Sequence, residues 1–487
     1  MAEGFPEHIA LALDAETRRS ADGRSLLGGA PMRLLRFSDA GAAAVDRVLA
    51  GGAVPTTGPE ALVARRLLDA GMVHPRPART PGLTLSVVVP VRDHAAELAS
   101  LLDALHVPAG TEVVVVDDGT PDPAAVPGAV AGRAEVLRHD SSLGPGAARD
   151  TGWRASSGDV VAFVDADVHL GDGWLDPLLA HLADPAVGLV APRVRSRPGP
   201  SLLERYERHR SPLDLGAREA RVVPRGRVSY VPTATVVCRR ELLEQLDGFE
   251  PDMRVGEDVD LVWRAVEAGW TVRYEPAAEV EHRPRGSWGA LVRQRMAYGS
   301  AAAPLDQRHP GAVAPVELNA WSLLAWVLAV IGGRRGALAG AGVAVGSSLA
   351  LVPKLRGRVD EPVRSSLELA GGGTLRAGAW LGRSVWRAWL PLALVGSLRS
   401  RRVRRATLAA AVVPALLDRR AAGPQPGVDP VRWTLIHALD QAAYCAGVWR
   451  GAWRCRSGRA LLPRLSGIPG VTRDRGNRDR SGARLAS

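Results

Sequence analysis

Three apolar segments between residues 83 and 165 constrain the fold of this chain more than any other feature. Leu85–Val89, Glu112–Val116 and Val160–Val164 are rich in β-branched residues and almost free of polar ones. Such segments are typical of strands buried on both faces of a parallel sheet. A helical pattern over Ala95–Leu105 separates the first two. Strands that alternate with helices predict an open α/β sheet, which binds ligands at the carboxyl ends of its strands.

Two carboxylates, Asp165 and Asp167, follow the third strand directly and are one residue apart. Uncompensated carboxylates at this spacing repel each other, and a hard divalent cation with oxygen ligands relieves the repulsion. We therefore predict a Mg²⁺ or Mn²⁺ site at this edge of the sheet, with a solvated loop as the alternative. A cation held here would bridge to a diphosphate leaving group and stabilise its developing charge.

A nucleotide site is predicted beside the metal. Asp118, in the Asp-Asp-Gly sequence that closes the second strand, could accept the N3–H of a uracil ring, although the same sequence favours tight turns. The small residues of Gly144–Gly152 would let a helix N-terminus approach an anion, and Arg149 suits a phosphate or the base. Tight helix packing is the alternative. The residues assigned to nucleotide-sugar binding are Pro90, Asp117, Asp118, Arg149 and Asp165.

A catalytic base and a third metal ligand are predicted further along the chain. Glu257 and Asp258 begin a helical stretch, where the helix dipole favours a carboxylate and keeps it ionised. Such a carboxylate can take the proton from an acceptor hydroxyl, or it can simply cap the helix. His282 follows Thr271–Glu281, whose first half is predicted to be a strand. This histidine could supply a nitrogen ligand to the same metal, although a single histidine is usually structural.

Residues 1–80 are predicted to form a small module of their own. Ser38 is placed to cap one helix and Gly71 to end another. Pro75–Pro81 is predicted to be a linker to the sheet. A strand followed by two helices of this size indicates a winged-helix-like module. The predicted elements are a strand over Pro31–Phe37 and helices over Ala42–Ala50 and Ala61–Ala70.

Residues 311–470 are predicted to form an apolar helical region at a membrane. The chain from residue 301 onward carries a net charge of +18, although the whole chain carries only +11. Gly336–Pro353 contains no charge, and its 18 residues are near the lower limit of about 17 for a spanning helix. We favour a region that lies on, or re-enters, the inner leaflet over one that crosses it. Nucleic-acid binding and a solvated arginine-rich face are the alternatives, and the tail 471–487 is predicted to be disordered.

The sequence also indicates a compartment. The chain has three cysteines and none forms a close CxxC pair, which argues against both a zinc site and a disulfide framework. Residues 1–20 lack the basic-then-apolar pattern of a secretory signal. We therefore expect a cytoplasmic protein that associates with the inner face of the cell membrane.

These motifs, in this order, resemble those of family 2 glycosyltransferases, which have a GT-A, Rossmann-like fold. The resemblance covers about residues 83–310. It implies that Asp118 contacts uracil and that Arg149 lies near the nucleotide. It also implies that Asp165 and Asp167 form the metal-binding DxD pair of a nucleotide-sugar transferase.

The same resemblance assigns the chemistry of transfer. Asp258 is the second acid of the ED motif and is implied to be the catalytic base, with Glu257 beside it. His282 is implied to complete the metal site, as a downstream histidine does in some members. One departure from the family pattern is Asp150, where most members have asparagine.

The whole layout is more closely similar to the glycosyltransferases of the mycofactocin system. This similarity implies transfer of glucose from UDP-glucose to a peptide-derived redox cofactor, with a β-1,4-linked oligoglucose as product. The N-terminal module resembles the small winged-helix peptide-binding domains of peptide-maturation systems. It could present the acceptor or its precursor peptide, or merely pack on the sheet. The segments that carry the similarity are Gly28–Pro31, Ala70–Pro75, Tyr298–Ser300 and Arg308–Pro310.

We therefore interpret the chain as a metal-dependent, inverting glycosyltransferase. One alternative is the same fold acting on a lipid-linked or cell-wall polysaccharide. A second is a non-catalytic nucleic-acid or membrane binder, which would leave the ordered acidic and glycine motifs unexplained, so we expect no nucleic-acid partner. Gln294, Arg295 and Tyr298 match the QxxRW motif of processive polysaccharide synthases only partly, because no tryptophan occupies the last position.

Overall fold

The computed structural model describes residues 4–284, 286–423 and 427–466, so the tail predicted to be disordered lies outside the described residues. The N-terminal elements form a small unit around buried apolar side chains that include Leu26, Val45 and Leu67. β1 pairs with β5, and β2, β3 and β4 form a second small sheet. The strands are β1 (Ile9–Leu13), β2 (Arg18–Arg19), β3 (Ser25–Gly28), β4 (Arg33–Arg36) and β5 (Val73–Pro77), and the helices are α1 (Asp39–Leu49) and α2 (Gly58–Asp69).

Both helices predicted in this unit are present. Ser38 caps α1 as predicted, because its Oγ accepts a hydrogen bond from the Gly41 amide at 3.2 Å, and Asp39 lies in the first turn. Gly71 follows α2 with a φ of +66°, the left-handed conformation in which glycine commonly ends helices. The linker predicted over Pro75–Pro81 is wrong in its first part, because β5 pairs antiparallel with β1. The partner strand is distant in sequence, so local composition could not reveal this pairing.

A large mixed sheet follows, and it contains the three predicted strands as β6, β7 and β9. Its strand order is β10-β14-β11-β13-β9-β6-β7-β8, with β12 paired to β14. The strands are β6 (Leu85–Val91), β7 (Glu112–Asp117), β8 (Glu135–Arg138), β9 (Val160–Val164), β10 (Val168–Leu170), β11 (Val187–Ser196), β12 (Ala220–Val222), β13 (Thr235–Arg239) and β14 (Thr271–His282). The helices are α3 (Ala95–Ala104), α4 (Ala125–Val130), α5 (Pro145–Ala155), α6 (Asp176–His181), α7 (Leu202–Arg210), α8 (Arg240–Leu246), α9 (Glu257–Glu267), α10 (Trp288–Ser300) and α11 (Ala302–Arg308).

Both faces of this sheet are buried, as the apolar strands predict. Successive residues of β9 alternate between two cores, with Ala162 on one face and Phe163 on the other. β6, β7, β8 and β9 are mutually parallel, whereas β13 runs antiparallel to β9. The antiparallel pairings of β10, β12 and β13 were not predicted, because these pairings are non-local. Pro90 also lies inside β6, opposite Val116, rather than after the strand.

The C-terminal elements form a layer of helices over the carboxyl edge of the sheet. α18 lies along α10, α12 along α13, and α15 along α17. A short π-helical turn over Leu367–Gly371 joins α14 to α15. The elements are β15 (Glu317–Asn319), α12 (Ala320–Ile331), α13 (Gly333–Leu355), α14 (Pro362–Ser366), α15 (Gly372–Arg387), α16 (Leu390–Arg399), α17 (Arg401–Ala421), α18 (Pro430–Arg454) and β16 (Arg464–Ser466).

Glycines bring α10 and α18 into close contact. A Cβ atom at Gly299 would collide with the carbonyl oxygen of Tyr444, and one at Gly447 would collide with that of Met296. Gly451 approaches the carbonyl oxygen of Ser300 in the same way. Backbone atoms cannot rotate aside as a flexible side chain can, so these glycines fix α18 against α10. The C-terminal helices are therefore packed directly onto the α/β part of the chain.

α13 is the one helix in the described ranges that is long and apolar enough to cross a membrane. It has 23 residues and a mean hydropathy of 1.6, and 22% of its most apolar window is buried. Length and composition alone are weak support for a span, since core helices can share them. Gly336 and Gly340 of α13 contact carbonyl groups of α12, whereas Gly342 faces open space. α12 and α13 thus form a closely packed apolar hairpin.

Candidate active site

Strand pairing brings Asp167 and His282 together at the edge of the sheet. β10 pairs antiparallel with β14, which places Val168 opposite His282. His282 Nε2 lies 3.2 Å from Asp167 Oδ2. The strand predicted to end before His282 is longer than expected, and His282 is its last residue. This pairing places the predicted nitrogen ligand beside the second acid of the predicted metal site.

Asp165 faces Arg149 instead of the other two predicted metal ligands. Arg149 Nη2 donates to Asp165 Oδ1 at 2.7 Å, and Arg149 Nη1 donates to Glu257 Oε1 at 3.2 Å. Within the described residues, no three His, Cys, Asp or Glu side chains are close enough together to hold a metal ion. The donor set nevertheless suits a hard cation, because two carboxylates and an imidazole adjoin one cavity edge.

Arg149 is buried and links the DxD acids to the ED acids. Burial disfavours its charge, but the nearby Asp165 and Glu257 carboxylates outweigh burial and raise the pKa of Arg149. Its guanidinium also lies 5.7 Å from the centre of the Phe249 ring. Contact with the nucleotide, which the sequence predicts, remains a prediction: Nη1 and Nη2 each bond one carboxylate, and the buried Nε has no hydrogen-bond partner among the described residues.

Glu257 and Asp258 begin α9 on the wall of the same cavity. Gly256 turns the chain into this helix with a φ of +85°, a conformation that favours glycine. Burial raises the pKa of Glu257, and the charge of Asp258 raises it further. The pKa of Asp258 is also raised, chiefly by burial, although the Val259 amide donates to its Oδ1 at 2.8 Å. A carboxylate with a raised pKa is a better proton acceptor near neutral pH.

A third acid of α9, Asp260, holds the helix in place. Asp260 is fully buried and accepts hydrogen bonds from Arg264 Nε at 2.7 Å, Arg308 Nε at 2.6 Å and His309 Nε2 at 2.9 Å. Burial alone would raise the pKa of Asp260, but these bonds outweigh it and lower the pKa strongly. The sequence presents Arg308–Pro310 only as a point of similarity. In the structure its first two residues, Arg308 and His309, bond Asp260 and thereby hold α11 against α9.

Asp118 organises a loop before α5. Its carboxylate accepts from Ser142 Oγ at 2.7 Å and from the amides of Leu143 and Gly144 at 2.8 and 2.9 Å. His139 Nδ1 lies 2.8 Å from the same carboxylate. Asp117 is buried and bonded to the Thr120 amide and to Arg138. Both acids are therefore engaged within the protein, and the uracil contact of Asp118 remains a prediction.

The departure at Asp150 has a structural explanation. Its carboxylate accepts from the Phe249 amide at 3.0 Å and from Trp153 Nε1 at 2.7 Å. It therefore ties α5 to the Gly248–Phe249 turn that precedes the ED acids. The burial of Asp150 raises its pKa.

A cavity of about 700 Å³ joins the predicted catalytic residues to the C-terminal helices. Its near side contains Arg149, Asp165, Asp258 and His282. Sequence reasoning missed most of its far side, because Tyr298 is the one residue there that the sequence analysis singled out and the others come from distant segments without a motif. The far-side residues are Tyr230, Tyr298, Arg387, Gln441 and Tyr444.

Arg295 of the partial QxxRW segment is a buried residue of this region. It donates to Asp440 Oδ1 at 2.7 Å and to Glu207 Oε1 at 2.8 Å. Tyr206 of α7 donates to the other oxygen of Asp440 at 3.2 Å. Arg295 thus connects α7, α10 and α18, and the segment supplies packing between the sheet and the C-terminal helices.

Comparison with known proteins identifies the family. The profile of glycosyl transferase family 2 matches residues 86–247. The chain is 40% identical over 474 residues to the pre-mycofactocin glycosyltransferase of Mycobacterium tuberculosis H37Rv, and the match covers 95% of this chain and 99% of the relative.

Solved structures of similar proteins include two transferase complexes. One is the mannosyltransferase PcManGT from Pyrobaculum calidifontis with GDP-Man and Mn²⁺, with 22% identity, a TM-score of 0.38 and coverage of 72% of this chain and 92% of that chain. The other is glucosyl-3-phosphoglycerate synthase from Mycobacterium tuberculosis with Mn²⁺, UDP and glucosyl-3-phosphoglycerate, with 21% identity, a TM-score of 0.33 and coverage of 47% and 80%. The family profile and the near full-length relative lead to one conclusion: the chain is an enzyme of glycosyltransferase family 2, with a GT-A fold, and belongs to the glycosyltransferases of the mycofactocin system.

Proposed function

We propose that this enzyme transfers glucose from UDP-glucose to a peptide-derived redox cofactor, with inversion at the sugar C1. The observation that supports it best is the position of Asp258, which lines the same cavity as Asp165, His282 and residues of the C-terminal helices. A base at this point is next to both a donor sugar and an acceptor hydroxyl. The relative from Mycobacterium tuberculosis, named for pre-mycofactocin, supports the choice of acceptor.

In the proposed reaction, Asp258 removes the proton from the acceptor hydroxyl as its oxygen attacks C1 of the sugar. The new C1–O bond forms on the face opposite to the bond that breaks, and UDP leaves with the electron pair of that bond. The proton remains on the Asp258 carboxylate until solvent takes it. The raised pKa of Asp258 suits this step, because a general base works best when its pKa is near the working pH.

We also propose that Asp165, Asp167 and His282 hold a Mn²⁺ or Mg²⁺ ion. When bound, the cation would offset the negative charge of the diphosphate leaving group. Arg149 keeps Asp165 in place at the cavity edge. Asp117, Asp118 and Pro90 remain in the proposed nucleotide site because they lie at the ends of β6 and β7, on the carboxyl edge of the sheet.

The central experiment follows UDP release from UDP-glucose in the presence of Mn²⁺, and compares other UDP- and GDP-sugars. We expect release with UDP-glucose that is lost on chelation and in Asp167→Ala. Asp258→Asn should lower turnover by at least 10²-fold, with the Kd for UDP unchanged. Equal loss of UDP binding in Asp258→Asn would contradict its assignment as the base. Mass spectrometry of the product with a pre-mycofactocin acceptor would test the β-1,4-linked oligoglucose, since one added hexose would refute chain extension.

We further propose that residues 81–310 form the catalytic domain and that 311–470 lie on the inner face of the cell membrane. The support is a broad exposed apolar surface, in which Leu338 is 74% and Leu398 86% exposed. Arginines border these helices, as at the start of α17. Basic residues beside an apolar surface favour anionic lipid. A lipid-linked acceptor is the second candidate substrate, favoured by this same surface.

Flotation with vesicles tests the membrane proposal. We expect the full chain to float with vesicles that contain phosphatidylglycerol, and less with pure phosphatidylcholine. Leu338→Glu combined with Leu398→Glu should abolish flotation without loss of UDP binding. Absence of flotation with either vesicle would contradict the proposal. Turnover of undecaprenyl phosphate rather than the peptide-derived acceptor would favour the lipid-linked alternative.

The N-terminal residues 1–80 are proposed to be a peptide-binding module. Polar contacts attach this module to the sheet: Arg227 binds both oxygens of Asp14, at 3.0 and 3.1 Å, and Arg65 binds Asp184 at 2.8 Å. These contacts would hold a bound peptide at a fixed distance from the catalytic cavity. Titration of the enzyme with the precursor peptide tests the proposal, and unaltered binding after deletion of residues 1–80 would refute it.

A further inference from the structure

The acceptor side of the cavity is built by two parts of the chain. Tyr230 and Tyr298 come from the α/β part, whereas Arg387 and Tyr444 come from α15 and α18 of the C-terminal layer. We propose that these four side chains form an acceptor subsite, which binds a neutral, hydroxyl-bearing ring beside Asp258. This inference rests on the proposed function and specifies where its acceptor binds.

The Arg387–Tyr444 pair provides a flat platform. The guanidinium carbon of Arg387 lies 3.4 Å from the centre of the Tyr444 ring, and Arg387 Nη1 lies 3.3 Å from Gln441 Oε1. Stacking of this kind is favourable because the positive guanidinium faces the electron-rich ring. Two contacts on the guanidinium hold the platform in one orientation on the cavity wall.

The platform is held in place by the contact between α10 and α18. The backbone of Tyr444 is the point that Gly299 of α10 approaches most closely, since any Cβ at residue 299 would collide with its carbonyl oxygen. Arg295 adds the buried ion pair to Asp440, four residues before Tyr444. The subsite therefore belongs to the rigid junction of α10 with α18.

Tyr230 lines the cavity together with the platform and the base. Asp258, Tyr298, Arg387 and Tyr444 are lining residues of the same cavity. Burial raises the pKa of the Tyr230 phenol, so its hydroxyl stays protonated and can donate a hydrogen bond. Its one hydrogen bond among the described contacts, to the Pro212 carbonyl, is long at 3.3 Å.

These groups match the chemistry of a hydroxylated ring. Aromatic faces pack against the C–H face of a pyranose or against another ring, and phenol and amide groups bond hydroxyls. Among the described residues, five acidic side chains and five arginines line the same cavity, so their charges balance and suit an uncharged acceptor. A terminal glucose of a sugar chain and a tyrosine-like ring on a peptide-derived acceptor would share this chemistry.

The test measures acceptor binding without turnover. The full-length enzyme, loaded with UDP and Mn²⁺, is titrated in a calorimeter with cellobiose and, separately, with N-acetyltyrosinamide. We expect saturable binding of at least one probe. Tyr444→Ala should weaken it about tenfold or more, and Tyr444→Phe, which keeps the ring, should restore most of the affinity. The Kd for UDP should stay unchanged in both variants.

Trp453→Ala provides a matched control, because Trp453 is on the same helix but is 83% exposed and away from the cavity. It should leave probe binding unchanged. Preference for cellobiose would assign the subsite to the growing sugar chain, and preference for N-acetyltyrosinamide to the unglycosylated acceptor. Binding of neither probe, or unchanged binding in Tyr444→Ala, would overturn the subsite. Absence of UDP release from UDP-glucose would instead refute the proposed function while leaving the binding result valid.

Discussion

The contact between α10 and α18 allows a quantitative test with a matched glycine pair. In a helix interior, replacing glycine by alanine gains about 1 kcal/mol when the site is open. At Gly447 the new Cβ would collide with the carbonyl oxygen of Met296, whereas at Gly342 no atom lies within 4 Å. Overpacking against an immovable partner costs about 1–3 kcal/mol. After the gain of about 1 kcal/mol is subtracted from this cost, we expect Gly447→Ala to be destabilised by up to about 2 kcal/mol and Gly342→Ala to be stabilised by up to about 1 kcal/mol.

Thermal unfolding of both variants measures this difference. At about 2–4 °C per kcal/mol for a medium-sized domain, Gly447→Ala should lower the Tm by up to about 8 °C. Because Tyr444 lies on the same helix, this variant should also raise the acceptor KM, while UDP binding on the opposite side of the cavity stays unchanged. If Gly447→Ala melted at or above the wild-type temperature, as Gly342→Ala should, the close contact of the two helices would be refuted.

Three further predictions concern buried acids. Asp260→Ala should destabilise the enzyme by about 3–5 kcal/mol, because it leaves Arg264 and Arg308 without their buried partner; chemical denaturation checks this, and a loss under 1 kcal/mol would contradict the anchoring role. Asp118→Ala should weaken UDP binding by disordering the Ser142–Gly144 loop, and an unchanged Kd by calorimetry would show that the loop does not position the nucleotide site. Burial raises the pKa of Asp14, but bonds from Arg227 and His74 outweigh it and lower the pKa to about 2. Because this pKa lies below the ordinary 3.8, the stabilisation of the fold by these bonds is present above about pH 4 and is lost between pH 4 and 2. Asp14→Asn should remove that part of the acid dependence of unfolding, and an identical pH profile would refute the assignment.

The parts of the fold that the sequence predicts are those that depend on local pattern. β6, β7 and β9 are apolar and β-branched, and the acids that follow them are visible in the chain. The non-catalytic alternative, drawn from net charge alone, is wrong because the chain belongs to a family of transferases. Net charge describes only the protein surface, whereas the order of the acidic motifs along the chain indicates an active site.

Non-local contacts account for what the sequence did not reveal. Asp118 accepts its hydrogen bonds from residues more than twenty positions away, so its loop-ordering role has no local signal. Tyr230 and Tyr444 are far apart in the chain but line one cavity, and Gly299 and Gly447 let the helix that carries Tyr444 approach α10 closely. The pairing of β1 with β5 is likewise a non-local contact, and because of it the linker is shorter than predicted.

The helical layer that closes the acceptor end of the cavity also controls what can react there. Once a donor is bound, water and the acceptor compete for the same sugar carbon, and a site that excludes water suppresses hydrolysis. Ala388 and Val448, which are buried on this layer, line the cavity with apolar surface. A chain shortened at residue 310 would expose Asp258 to solvent. We expect it to transfer the sugar to water, so that it hydrolyses the donor instead of glycosylating the acceptor.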